Sequence, residues 1–198
     1  MNTCATLKRQ GFDITYLNVN KEGFVKLDEL RKSIRNDTIL ISIMFANNEI
    51  GTIQNIMEIS KIAKENNIIF HTDAVQAVGN IKIDVQKLGI DSLSMSAHKF
   101  YGPKGVGALY VRKDINIERI QDGGHQEKGM RSGTENVAGI VGLAEALKIA
   151  YKELDENNKK ILENRNYFIE KIKENFKETT INGNLEHRLP GNINVTFK

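Results

Sequence analysis

Apolar runs of strand length alternate with amphipathic stretches of helix length along this chain, and the strand-like runs end in polar clusters. Thr38 to Phe45 (TILISIMF) is almost continuously apolar. Such a run suits a strand covered on both faces, as in a parallel sheet. Asn67 to His71, Asp91 to Ser96 and Val106 to Val111 read as further strands, with Phe12 to Leu17 as an earlier short one. Leu27 to Ile34 and Ile53 to Lys64 carry apolar residues at helical spacing, and Val85 to Leu88 reads as a short helix. This order predicts an α/β fold with a largely parallel sheet flanked by helices. Ligands of such sheets bind beyond the carboxyl ends of the strands. Three places then matter: Asn47-Asn48-Glu49, Thr72-Asp73 to Gln76, and Ala97-His98-Lys99.

The second half has a different texture. Gln121 to Asn136 holds four Gly in 16 residues and few apolar side chains, and it reads as a long functional loop. Two helices follow, with a break expected at Glu156-Asn157-Asn158, and a last strand spans Asn192 to Phe197.

Composition excludes several classes. Among the 198 residues, 28 Lys plus Arg against 25 Asp plus Glu leave a net charge of 28 − 25 = +3. That is too small a surplus to argue for nucleic acid, which needs a concentrated basic stripe. No apolar run approaches the roughly 18–20 residues that span a bilayer, and no membrane association is expected. One Cys cannot form an internal disulfide. A reducing, cytoplasmic setting is expected. Neither GxxxxGK[ST], HExxH nor GxSxG occurs, and the glycines near Gly105 do not form GxGxxG. No metal site is expected, since nothing in the spacing of His71, Asp73 and His98 demands one.

Lys99 follows a strand directly, with Ser96 and His98 beside it. A lysine of lowered pKa forms a Schiff base with a carbonyl, and Ser and His donate hydrogen bonds to phosphate. These are the parts pyridoxal phosphate requires; a solvated loop lysine is the plainer alternative. Asp73, at the neighbouring strand end, suits either a protonated ring nitrogen or the cap of a following helix. Gln76, one turn along that expected helix, and Asn48 suit the ring oxygen or a substrate, or are simple turn amides. His71 reads as structural.

Phe70-His71-Thr72-Asp73-Ala74-Val75-Gln76-Ala77-Val78-Gly79 and Ser94-Met95-Ser96-Ala97-His98-Lys99-Phe100-Tyr101-Gly102-Pro103-Lys104-Gly105 together resemble the pyridoxal phosphate-dependent cysteine desulfurases. So do Asn47-Asn48-Glu49-Ile50-Gly51-Thr52 and Arg131-Ser132-Gly133-Thr134-Glu135-Asn136. The resemblance runs through the whole chain in order, and it points to the branch serving iron–sulfur cluster assembly. It implies a fold type I pyridoxal phosphate-dependent transferase, incomplete at both ends. Residues 1–148 would be the central part of the large cofactor domain, and 149–198 the beginning of the small one. Lys99 would be the Schiff-base lysine and proton shuttle, with His98 beside it. Asp73 would pair with the ring nitrogen, Gln76 with the ring hydroxyl, Ser96 and His98 with the phosphate, and Asn48 with cofactor or substrate. Thr134 would reach the phosphate in a neighbouring subunit, because the family is a homodimer with shared active sites. The substrate would be L-cysteine and the sulfur acceptor a scaffold or carrier protein.

Two departures accompany this resemblance. The family's cysteine nucleophile and its substrate-carboxylate arginine are expected downstream of Phe197, and Cys4 matches neither. A phosphate loop and a stacking His are expected before residue 1. The 198 residues alone are therefore expected to lack desulfurase turnover. The alternatives are a catalytically inactive fragment that dimerises or binds the cofactor, and another class V enzyme such as an aminotransferase or selenocysteine lyase.

Overall fold

The computed structural model describes residues 2–198. Its central sheet has four strands in the order β1-β2-β3-β4: β1 (Leu40–Met44), β2 (Ile69–Asp73), β3 (Ser92–Ser96) and β4 (Gly107–Val111). The first three are parallel and β4 is antiparallel at the edge. Helix α1 (Asn2–Arg9) and α2 (Leu27–Ser33) precede the sheet, and α3 (Ile56–Glu65) makes the crossover from β1 to β2. Helices α4 (Val137–Lys152) and α5 (Leu154–Asn175) follow β4. A separate two-stranded antiparallel sheet, β5 (Thr179–Ile181) with β6 (Val195–Phe197), ends the chain, with Phe176 edge-on to Phe197 at 5.3 Å.

Alternation along the strands sorts the two sheet faces. Ile41, Ile43, Phe70 and Leu93 are buried, and they join Ile56, Ile59, Ile62 and Ala63 of α3 in the main core. The spacing of three and four along α3 puts those residues on one stripe, which is why this segment is a helix against a sheet. The opposite face carries Ser42, His71, Asp73, Ser94 and Ser96, none of them fully buried. The sheet thus has one oily and one polar face.

Three expectations need correction. Phe12 to Leu17 is not a strand; Phe12 and Tyr16 are about half exposed and no strand pairs with the segment. Val85 to Leu88 is a turn rather than a helix. A four-residue helix pays nucleation without enough propagation, and Asp84 Oδ1 instead accepts from the backbone N–H of Gln86 and Lys87. The two long helices break at Glu153, not at residues 156–158. Leu154 is buried and starts α5, while Asn158 Nδ2 donates to Asn80 O at 2.9 Å from inside the helix.

Candidate functional site

Parallel register brings the polar strand ends side by side. Asp73 is level with Met44 of β1 and Ser94 of β3, and Ser96 closes β3 opposite Gly107. Lys99 lies just past β3 in a single 3-10 turn, Ala97–Phe100. Ala97 and Phe100 are buried, whereas His98 and Lys99 are exposed. The three-residue period of this turn pins positions 97 and 100 inward and leaves 98 and 99 outward. Its end is locked by Tyr101 in the left-handed conformation (φ 65°) and by Gly102 N donating to Ala97 O at 2.9 Å.

Ser96 Oγ and His98 Nδ1 lie 2.8 Å apart, so the two expected phosphate partners already form a pair. Lys99 makes no ion pair or side-chain hydrogen bond among the described residues. Its ammonium is unclaimed.

Asp73 accepts at Oδ1 from Val75 N, 3.0 Å away. This is the capping contact weighed from sequence, but it caps a turn over Ala74 to Gly79, not a helix. Gln76 is half-buried on that turn, its carbonyl accepting from Asn80 Nδ2 at 3.0 Å. The Gln76 turn and the Lys99 turn press on each other at Gly79. A Cβ there would sit 2.5 Å from Phe100 Cβ, and the φ of +80° also favours glycine.

Asn48 is exposed in a tight turn built by its neighbour: Asn47 Oδ1 accepts from Glu49 N and Ile50 N at 2.9 Å each. The far end of the chain holds this turn. Asn192 Nδ2 donates to Asn48 O (3.2 Å) and Glu49 O (3.0 Å), and Leu189 N donates to Gly51 O at 2.9 Å. A Cβ on Gly51 would lie 2.6 Å from Asn192 Oδ1. Arg188, almost fully buried, donates to the carbonyls of Asn182 and Asn184 and fixes the segment. Sequence reasoning missed this brace, because contacts 140 residues apart leave no local periodicity.

Thr134 is exposed in the loop between β4 and α4, without a hydrogen bond among the described residues. The chain itself therefore brings together Asp73, Gln76, Ser96, His98 and Lys99, with Asn48 at the next strand end, while Thr134 is exposed and hydrogen-bonded to none of them.

A family model for class-V aminotransferases matches residues 1–198. The cysteine desulfurase IscS of Methanosarcina thermophila is 57% identical over 198 residues, covering 100% of this chain and 49% of that protein. The cysteine desulfurase IscS of Dictyoglomus turgidum is 55% identical over 197 residues, covering 100% and 50%. The solved structure of a NifS-like protein superposes with a TM-score of 0.94 at 44% identity, covering 99% of this chain and 54% of that one. The chain thus spans about half the length of the curated relatives it matches, and its fold is that of the NifS-like proteins.

Members of this family use pyridoxal phosphate. The donor set fits that group: an unclaimed ammonium, a hydroxyl–imidazole pair beside it, and a carboxylate on the adjacent strand with Oδ1 held by one N–H. An amine for a carbonyl, hydrogen-bond donors for a phosphate and an anion for a ring cation are what its three functional ends require. Matched by the family model over its whole length, and folded as the solved relative is folded, the chain belongs to the class-V aminotransferase family.

Proposed function

We propose that this chain is the central part of a pyridoxal phosphate-dependent cysteine desulfurase, an enzyme that takes sulfur from L-cysteine and leaves alanine. One observation carries the proposal: Lys99 stands unclaimed between two buried anchors, beside the Ser96–His98 pair and one strand from Asp73. The IscS relatives support it.

When bound, the cofactor supplies an electron sink for the substrate's α-carbon. Lys99 Nζ would supply the amine for the cofactor's carbonyl, and would hold and return the proton at the substrate's α-carbon. Asp73 pairs with the ring nitrogen and keeps its proton on. Gln76 bonds the ring oxygen, and Asn48 orients cofactor or substrate. Ser96 and His98 hold the phosphate, and their mutual hydrogen bond presents them already oriented. Thr134 reaches the phosphate of a neighbouring subunit in a homodimer with shared sites. Residues 1–148 belong to the large cofactor domain and 149–198 to the start of the small one. The sulfur passes through a cysteine thiolate to an iron–sulfur scaffold or carrier protein in the cytoplasm; in this reading Cys4, half-buried in α1, is an ordinary helix residue.

Borohydride reduction of the chain with pyridoxal phosphate, followed by peptide mapping, tests the assignment. Label is expected on Lys99; label on another lysine overturns it. The 198 residues alone are expected to release no alanine from L-cysteine catalytically, and sustained release would overturn that part.

A further inference from the structure

The polar face of the sheet holds one arrangement with no part in the chemistry above. His71, in the middle strand β2, engages both flanking strands: Nδ1 lies 2.8 Å from Ser42 Oγ of β1, and Nε2 lies 2.8 Å from Ser94 Oγ of β3. Asp73 is two positions further along β2 and so shares that face. Ser94 is also Asp73's partner in the strand register. One imidazole therefore ties together the three strands whose ends carry Asn48, Asp73 and Lys99.

A neutral ring can satisfy both serines, since one nitrogen donates, the other accepts, and a hydroxyl can do either. Burial pushes the His71 imidazole below its ordinary value, while the Asp73 carboxylate pulls partly the other way. The groups bonded to the ring from β1 and β3 are hydroxyls that do not ionise, and Asp73 on its own strand is the charged group acting on it. Asp73 forms no ion pair with a Lys or Arg among the described residues.

We propose that His71 is a positioning residue for Asp73: held as an uncharged bridge between Ser42 and Ser94, it fixes the strand end that carries the carboxylate and leaves that charge free for a cationic ring nitrogen. This rests on the cofactor role of Asp73 proposed above. The coupling is reciprocal. A cation paired with Asp73 cancels the field that favours a proton on His71, and a proton on His71 weakens Asp73's hold on the cation.

The test follows the His71 ring by NMR in the histidine-labelled chain, as wild type and as Asp73→Asn, each with and without pyridoxal phosphate. Cofactor affinity is read by absorbance across the same pH range, with His71→Asn alongside. The His71 midpoint is expected to fall in Asp73→Asn without cofactor, and to fall in the wild type when cofactor binds. Affinity is expected to weaken several-fold as pH drops through that midpoint, and His71→Asn to lose that step. Ser94→Ala, a milder change, is expected to shift the Nε2 signal. An identical His71 titration in wild type and Asp73→Asn overturns the proposal, as does a pH step that survives in His71→Asn. The cofactor-free comparison decides the coupling even if Lys99 captures no cofactor, so failure of the cofactor assignment is told apart from failure of this one.

Discussion

The strand-end cluster and the loop between β4 and α4 both carry expected cofactor contacts, yet the chain holds them in opposite ways. At the strand ends, register, an Asx turn at Asp73 and a buried pair of anchors around Lys99 leave little freedom. In the loop, Ile120 is fully exposed, and Glu127 and Lys128 sit in succession at φ 48° and 57°, a conformation non-glycine residues seldom adopt. Its one buried polar anchor is Ser132, whose hydroxyl donates to Gln121 O at 2.8 Å and Gly124 O at 3.2 Å. A sheet delivers side chains by its own bonding; this loop delivers Thr134 to open space.

Mutations can break the comparison, beginning with its foundation. Phe70, next to His71 on β2, is wholly buried on the opposite face, and Phe70→Ala is expected to cost about 3–5 kcal/mol in urea unfolding. A loss below about 1 kcal/mol would mean the oily face is not what holds the strand ends. Gly79→Ala drives a Cβ into Phe100 and should cost about 1–3 kcal/mol, with weaker cofactor capture at Lys99. Unchanged stability and capture would uncouple the Gln76 and Lys99 turns. Ser132→Ala removes the loop's inner anchor and should cost about 1 kcal/mol, read together with faster proteolysis between residues 121 and 136.

A pH effect follows from His71. Its folded-state proton affinity is lowered, so between its ordinary value of 6.5 and the folded value the unfolded chain binds more protons. Stability should therefore fall as pH drops through that window, and His71→Asn should flatten the slope of urea midpoint against pH. Thr134→Ala should leave the unfolding midpoint within about 0.5 kcal/mol, as befits an exposed loop residue. A larger loss would show that the loop is fastened within its own chain after all.

What the sequence revealed tracks how local the cause was. The strands β1 to β4 and helices α2 to α5 follow from periodicity, and the positions of Asp73, Ser96 and Lys99 follow from the rule about strand ends. Elements that depend on a competing local bond were misread: Asp84 and Asp73 each turn a helix-like pattern into a turn by accepting backbone N–H groups. Phe12 to Leu17 has strand composition but no partner strand, and composition cannot supply one. The alternation in Asp91 to Ser96 places three serines on one face, yet only the folded side chains show that the His71 ring passes its register partner Ser92 and bonds Ser94.

The brace between Asn48's turn and Asn192 has a consequence for how the molecule is made. Residues 47–51 leave the ribosome about 140 positions before the side chain and backbone that fasten them. The sheet's β1–β2–β3 pairing needs only crossovers of local length, so it can condense first. During synthesis the Asn48 turn must then wait, formed but untethered, until the segment from Leu189 to Asn192 emerges. This one strand end is thus completed by residues made well after it, and Asn48's turn sets later than the sheet it tops.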